Sequence, residues 1–150
     1  MKTRTARCCC GDLSITLSGE PERVIACHCD YCQRRTGNVS QVSCWYFGDQ
    51  IVSRTEGQVY RGPDNPGLDY TFCSRCGSTV YWELTILRES LGSEFVIYGI
   101  AVGCFVEADF PKPDLEIWAS TRHPWVPPIE GVESYDEFPP PERMLPKRSA

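Results

Sequence analysis

The chain of 150 residues lacks the features that would indicate a membrane or a nucleic acid as its partner. It has no apolar segment as long as a membrane span, and Met1 to Arg7 contains no apolar stretch of the kind found in secretory signals. Basic residues are in deficit, with 15 Lys and Arg against 20 Asp and Glu, so a basic surface for a phosphate backbone is not expected. We therefore predict a soluble, cytoplasmic protein that binds neither membrane nor nucleic acid.

Cysteine, in contrast, is abundant, with ten residues. Thiols stay reduced in the cytoplasm, so cysteines at short spacings are there more often metal ligands than disulfide partners. A structural zinc ion takes four protein ligands, whereas a catalytic one keeps three and leaves the fourth position for water or substrate. Seven of the ten cysteines fall in tight groups: Cys8 and Cys10, Cys27, Cys29 and Cys32, Cys73 and Cys76. Seven thiols so grouped predict one complete zinc site and one that is a ligand short.

The two pairs predict a structural zinc site, called here the first cluster: Cys8, Cys10, Cys73 and Cys76. Each pair is followed by a glycine, Gly11 or Gly77, which tolerates the positive φ that a metal-binding turn often needs. Zinc shared by the two pairs would tie the start of the chain to its middle and so contribute folding energy. Two redox-active thiol pairs are the alternative, and the glycines do not exclude it.

The remaining group, Cys27, Cys29 and Cys32, is called here the second cluster, and three thiols cannot complete a tetrahedron. A residue between two ligands tends to project away from their ion, so a hydrogen bond or packing is expected for His28. The other candidates for a fourth protein ligand are Cys9, Cys44, Cys104 and His123. We predict an open Cys₃ site with a catalytic and labile zinc ion. A site completed by a protein ligand, and an empty or redox-active cluster, are the alternatives.

An open Cys₃ zinc site has a charge of −1, which suits a soft thiolate better than water as the fourth ligand. Coordination also deprotonates a thiol that is mostly protonated at neutral pH. The second cluster therefore predicts a substrate that is a small-molecule thiol, held beside its electrophile by the ion on Cys27, Cys29 and Cys32.

The hydrophobic pattern predicts a mainly β protein, because short runs alternate at period two between Gly, Pro, Asp and Asn. One short helix is expected at 30–36, ending at Gly37. Residues 85–94 have no clear pattern. Strands are expected near 13–18, 24–27, 39–47, 51–54, 58–60, 69–72, 79–84, 95–101 and 115–119.

The length favours a single zinc-binding β domain over residues 1–150, with its core at about 7–126. A Pro-rich tail follows at 127–150, since its prolines deny the chain both helix and interior strand. The proline-rich composition begins at Pro124, and the aromatic residues Trp125, Tyr135 and Phe138 indicate that the first part of this sequence lies against the domain. Residues 142–150 have little to bury and are expected to be disordered.

At its cysteine motifs the chain resembles the glutathione-dependent formaldehyde-activating enzymes, or S-(hydroxymethyl)glutathione synthases. The motifs are Cys8-Cys9-Cys10-Gly11, the stretch from Cys27 to Gly37, the stretch from Phe72 to Ser78, and Ile117 to Ser120 followed by Pro124-Trp125. The resemblance implies a β-tent-like sandwich of short antiparallel strands around a structural zinc on the first cluster. It implies a second zinc on Cys27, Cys29 and Cys32.

The implied activity is addition of glutathione to formaldehyde, whose reverse is a carbon–sulfur lyase reaction. Glutathione carries two carboxylates, so guanidinium groups are expected in its pocket. Arg34 and Arg35 directly follow the second cluster and are the leading candidates, with Arg61 and Arg122 as further ones. A non-catalytic binding or scaffold domain and a redox-sensing zinc-thiolate protein are the alternative functions.

Overall fold

A computed structural model describes residues 1–146. Within this range the strands are β1 (Thr3–Arg7), β2 (Ser14–Ser18), β3 (Arg23–Cys27), β4 (Gln41–Phe47), β5 (Ile51–Arg54), β6 (Gln58–Arg61), β7 (Leu68–Phe72), β8 (Thr79–Leu84), β9 (Ile97–Ala101), β10 (Leu115–Ile117) and β11 (Glu133–Ser134). The α-helices are short: α1 (Asp30–Thr36), α2 (Arg88–Leu91) and α3 (Pro141–Met144). The predicted mainly β class is confirmed.

The chain divides into two compact units, and each is built from two separate stretches of sequence. The first unit contains residues 1–21 and 44–110, and the second contains residues 22–43 and those from 111 onward. The prediction of a single domain with a core at about 7–126 and a tail at 127–150 stays a prediction.

The first unit is antiparallel in its described pairings. β1 pairs with β2 and β2 with β5, while β6, β7, β8 and β9 pair in sequence order and β4 lies next to β9. The period-two prediction holds in β2 and the residue before it, since Leu13, Ile15 and Leu17 are buried while Ser14 and Thr16 are half-buried. An apolar row on one face of a strand buries its side chains in the core of this unit.

The second unit contains parallel strands. β10 pairs with β3 in parallel, with Ile117 opposite Cys27, and β11 pairs with β10 in parallel. Parallel neighbours need a long connection, which the residues between β3 and β10 supply here. These pairs depart from the expected antiparallel arrangement, which prevails in the rest of the described structure. The helix α1 starts three residues after the end of β3 and ends at Gly37 in the left-handed conformation, as predicted.

Several elements were not expected from the sequence, among them β1, β11, α2 and α3. β1 was missed because its buried face carries Arg4 with Ala6 instead of two large apolar residues. The Arg4 guanidinium is paired with Glu20 and Glu107, and these ion pairs offset the cost of removing its charge from water. β11 has only two residues, and α3 covers part of the segment expected to be disordered, whose residues 147–150 lie outside the described range. Residues 85–94, left unassigned, form a 3₁₀ turn at Thr85–Leu87 followed by α2.

None of the helices in residues 1–146 is both long enough and apolar enough to cross a membrane.

Candidate metal centres

The first cluster is assembled from four sulfur atoms that all lie within 4.8 Å of one another. Cys8 follows β1, Cys73 follows β7, and Cys76 precedes β8 in the same hairpin connection. The Cys10 sulfur lies 3.6 Å from those of both Cys8 and Cys73. All of these residues belong to the first unit. Four sulfurs at this separation fit one zinc ion, which thiolate ligands suit in both softness and number.

Two matching turns curl the chain around the first cluster. The Gly11 amide donates to the Cys8 carbonyl at 3.0 Å, and the Gly77 amide donates to the Cys73 carbonyl at 2.8 Å. Both glycines have positive φ, 87° and 77°, as the sequence predicted. The Leu13 amide also donates to the Cys8 sulfur at 3.1 Å. Amide hydrogen bonds of this kind stabilise a thiolate, and hence a metal ligand.

Ser78 links the first cluster to an additional thiol. Its hydroxyl donates to the Cys9 sulfur at 3.3 Å and lies 3.3 Å from the Cys76 sulfur. Hydrogen bonds from Ser78 lower the pKa of Cys76 to about 5. Cys9 itself is exposed and does not join the group of four sulfurs.

The second cluster lies wholly in the second unit and comes from six consecutive residues. Cys27 ends β3, Cys29 is the N-cap of α1, and Cys32 lies in the first turn of that helix. The Cys29 sulfur accepts a hydrogen bond from the Cys32 amide at 3.4 Å, in the position that a capping oxygen usually fills. The three sulfurs lie within 4.8 Å of one another, and Cys29 and Cys32 are partly exposed.

Close packing of these sulfurs separates their acidities. Hydrogen bonds from the Cys27 and Cys32 thiols lower the pKa of Cys29 far below its ordinary value. The same contacts raise the pKa of Cys27 and of Cys32. The three thiols therefore do not ionise independently of one another.

Within residues 1–146, no further His, Cys, Asp or Glu joins the second cluster. The candidate ligands from the sequence have other roles. Cys44 and Cys104 lie in the first unit, with their sulfurs near the carbonyls of Ile100 and Thr79. The His123 imidazole hydrogen-bonds to the Gln33 side chain at 3.0 Å. Three sulfur donors fit zinc with one coordination position left over.

His28, between two cysteines of the second cluster, is held by a buried carboxylate. Its Nε2 lies 2.8 Å from Oε1 of Glu116, which is fully buried in the middle of β10. Arg122 also donates to Oε1, at 3.2 Å, and the Ile129 amide donates to Oε2, at 3.3 Å. Burial would raise the pKa of Glu116, but the bonds from His28, Ile129 and Arg122 outweigh it and lower that pKa.

Glu116 is not among the site residues that the sequence predicts. The available signal was a charged residue between Leu115 and Ile117 in a run expected to be a buried strand. An acid at such a position needs donors from elsewhere in the fold, and their identity is not readable from the sequence.

The arginines expected to bind substrate differ in their surroundings. Arg34 is exposed in the last turn of α1, and no side chain of residues 1–146 pairs with its guanidinium. Arg35 is half-buried and donates to the Gln41 side chain. Arg61 pairs with Asp69 at 2.9 Å in the first unit, and Arg122 is engaged by Glu116.

Comparison with known proteins gives a family match and distant likenesses to solved structures. The family described as glutathione-dependent formaldehyde-activating enzyme matches residues 3–121. This match confirms the resemblance drawn from the cysteine motifs. One of these solved structures is the crystal structure of a Rhodobacter sphaeroides protein, a Northeast Structural Genomics target, whose sequence is 19% identical to that of this chain. The likeness covers 70% of this chain and 90% of that chain, with a TM-score of 0.47. No curated protein matches the chain.

Proposed function

Because the chain belongs to the glutathione-dependent formaldehyde-activating enzyme family, we propose that it adds a small-molecule thiol, glutathione, to formaldehyde or a related aldehyde at the second cluster. In the reverse direction the same enzyme is a carbon–sulfur lyase. The observation that carries this proposal is the grouping of three cysteine sulfurs within 4.8 Å, to which residues 1–146 add no fourth metal-binding side chain.

In this proposal Cys27, Cys29 and Cys32 hold a catalytic zinc ion. When bound, zinc supplies a soft Lewis acid that takes up a thiol in its deprotonated form. The protein positions the three sulfur donors. Two of the three sulfurs belong to α1 and its N-cap, while the third ends β3, so a strand end and a helix start fix the donors. Partial exposure of Cys29 and Cys32 leaves the cluster accessible to a small molecule.

The reaction balances without an oxidant or a reductant. A bond forms between the glutathione sulfur and the formaldehyde carbon, and the π electron pair of the carbonyl moves to its oxygen. The proton lost by the thiol ends on that oxygen, which gives S-(hydroxymethyl)glutathione. Since both reactants combine readily once in contact, the task of the protein is to hold them together in the correct orientation.

Arg34 is the better placed of the two arginines expected to bind glutathione. Its guanidinium is exposed and unpaired within the described residues, on the helix that carries Cys32. A free guanidinium can form a bidentate pair with a carboxylate of the substrate. Arg35 would act only after giving up its bond to Gln41.

The first cluster has a structural role in this proposal. Four sulfurs saturate a zinc ion, so no position remains for a substrate. Cys8 and Cys73 are also buried, each about 4% exposed.

The decisive experiment measures exchange between formaldehyde and glutathione by equilibrium NMR in the presence of the zinc-loaded protein. We expect faster exchange than in the uncatalysed mixture, and no acceleration by Cys29→Ser, which removes one donor of the second cluster. Cys104→Ser is the matched control, because Cys104 belongs to neither cluster. It should exchange as fast as the unmodified protein. An exchange rate equal to the uncatalysed rate for the unmodified protein would refute this chemistry.

A zinc count of the protein purified without chelator tests the metal assignment separately. Two ions per chain, one of them displaced by a thiol, fit the enzyme. A single inert ion would favour the binding or scaffold domain and contradict the proposed site.

A further inference from the structure

Glu116 is an unusual residue for the middle of a short buried strand. It is fully buried, whereas its neighbours Leu115 and Ile117 fill the apolar core of the second unit. Burying a carboxylate is costly unless it is fully hydrogen-bonded, and an apolar residue of similar size often gives equal or greater stability. Stability alone therefore does not explain an acid at this position, and its contacts give a more specific reason.

Those contacts lead to His28, which lies between two donors of the second cluster. Glu116 accepts a bond from His28 Nε2 at 2.8 Å, so this nitrogen carries a proton. Nδ1 is buried and has no hydrogen-bond partner within residues 1–146. The imidazole is thus anchored through a single atom, and its orientation depends on Glu116.

The backbone of His28 is fixed by the same part of the fold. Its amide donates to the Ile117 carbonyl at 3.1 Å. Its carbonyl accepts from Gln33 Nε2 at 2.7 Å and from Thr121 Oγ1 at 2.9 Å. Glu116 and Ile117 are adjacent in β10, so one strand holds both the side chain and the amide of His28. The backbone angles of this residue determine where the sulfurs on either side of it point.

We propose that Glu116 is a positioning residue for the second cluster, acting through His28. The carboxylate keeps the Cys27-His28-Cys29 segment in the conformation that brings three sulfurs to one ion. The second cluster has only three protein donors, so no fourth protein ligand can hold the metal ion if one sulfur is displaced. Loss of the bond between Glu116 and His28 should therefore weaken metal binding at this cluster. The inference rests on the proposed function only in taking the second cluster to bind zinc.

The test measures retention of metal at each cluster in the full chain. Zinc release is followed against increasing chelator. Co²⁺ is then added to protein that keeps zinc in the first cluster, so that the thiolate-to-cobalt absorption comes from the second cluster alone. A Gln side chain has one acceptor oxygen and cannot accept from both His28 and the Ile129 amide as Glu116 does. We therefore expect Glu116→Gln to release the second ion at about 10-fold lower chelator concentration, the lower end of the loss seen when the direct hydrogen-bond partner of a metal ligand is removed. The cobalt spectrum should change, while the first cluster keeps its ion.

Asp114→Asn is the matched control. Asp114 is also an acid of the second unit with an arginine partner, Arg23 at 3.2 Å, but it is not bonded to His28. Its variant should retain the second ion as the unmodified protein does. If Glu116→Gln retains the second ion normally with an unchanged cobalt spectrum, or if Asp114→Asn loses it equally, the positioning role is wrong.

Action through His28 is tested by a double-mutant cycle. His28→Gln and Glu116→Gln should weaken the second site by similar factors, and the double variant should be no weaker than either single one. Additive losses would contradict the proposal. If Glu116→Gln does not fold, His28→Gln removes the same contact and is read against the same control.

Metal retention also separates this inference from the proposed function. If the unmodified protein binds two ions yet does not accelerate formaldehyde–glutathione exchange, the proposed function is wrong and the positioning role of Glu116 still stands. If the second cluster of the unmodified protein holds no metal, both the proposed function and the positioning role are wrong. This measurement is made before any variant is tested.

Discussion

The two cysteine clusters differ in how much chain each one joins. The first cluster brings together sulfurs from residues 8–10 and 73–76, whereas the second takes its sulfurs from residues 27–32 alone. Closing a loop of more than 60 residues carries an entropic cost that a four-ligand metal site offsets with binding energy. Six consecutive residues need no such closure. From this comparison we infer that the first cluster serves the fold, whereas the second depends on the fold for its shape.

The largest expected effect comes from breaking the first cluster. Cys76→Ser removes one of its four donors, and a structural zinc site supplies roughly 10 kcal/mol of apparent binding energy to folding. We expect the first unit to lose its structure, seen as loss of the cooperative thermal transition in circular dichroism. Cys32→Ser is the matched change in the second cluster and should keep that transition. A well-folded Cys76→Ser protein would contradict the difference between the clusters.

A chelator should separate the two sites without any mutation. The second cluster has three donors, with Cys29 and Cys32 partly exposed, whereas the first has four donors, with Cys8 and Cys73 buried. We expect zinc to leave the second cluster at lower chelator concentration, with little change in the thermal transition. Unfolding should accompany only the later loss from the first cluster. Zinc release and circular dichroism, measured on the same samples, check this order. Release of both ions in one step together with unfolding would show that the sites are not distinct in this way.

The sequence predicted the local features of both clusters because these depend on short spacings. The helix from Asp30 to Thr36 and its end at Gly37 follow from a capping position and a glycine. The turns at Gly11 and Gly77 follow from the ligand spacing in the same way. The grouping of seven sulfurs into four and three was also readable, since ligand number is a matter of counting.

Features that depend on distant pairing were not readable. The sequence did not indicate that β3 and β10 are parallel, because period two is the same in both orientations. Arg4 in β1 and Glu116 in β10 both interrupt an apolar pattern. Each is explained by its partners in the fold, which include Glu107 for the first and His28 for the second, both far along the chain.

The smallest expected effect comes from substituting two glycines, one in a turn beside each cluster. It tests whether the two clusters can be weakened independently of each other. Gly77 closes a turn of the first cluster with φ of 77°, and Gly37 ends the helix of the second with φ of 68°. At each, an added Cβ would meet no atom within 4 Å, so alanine would cost only the left-handed backbone, about 1 kcal/mol. We expect Gly77→Ala to lower the chelator resistance of the first ion alone and Gly37→Ala that of the second alone, each severalfold. Zinc release from the two variants gives the answer directly. If either substitution lowered the chelator resistance of both ions equally, the two clusters would depend on the same part of the fold. The first cluster could then not be distinguished from the second as the one that stabilises the fold.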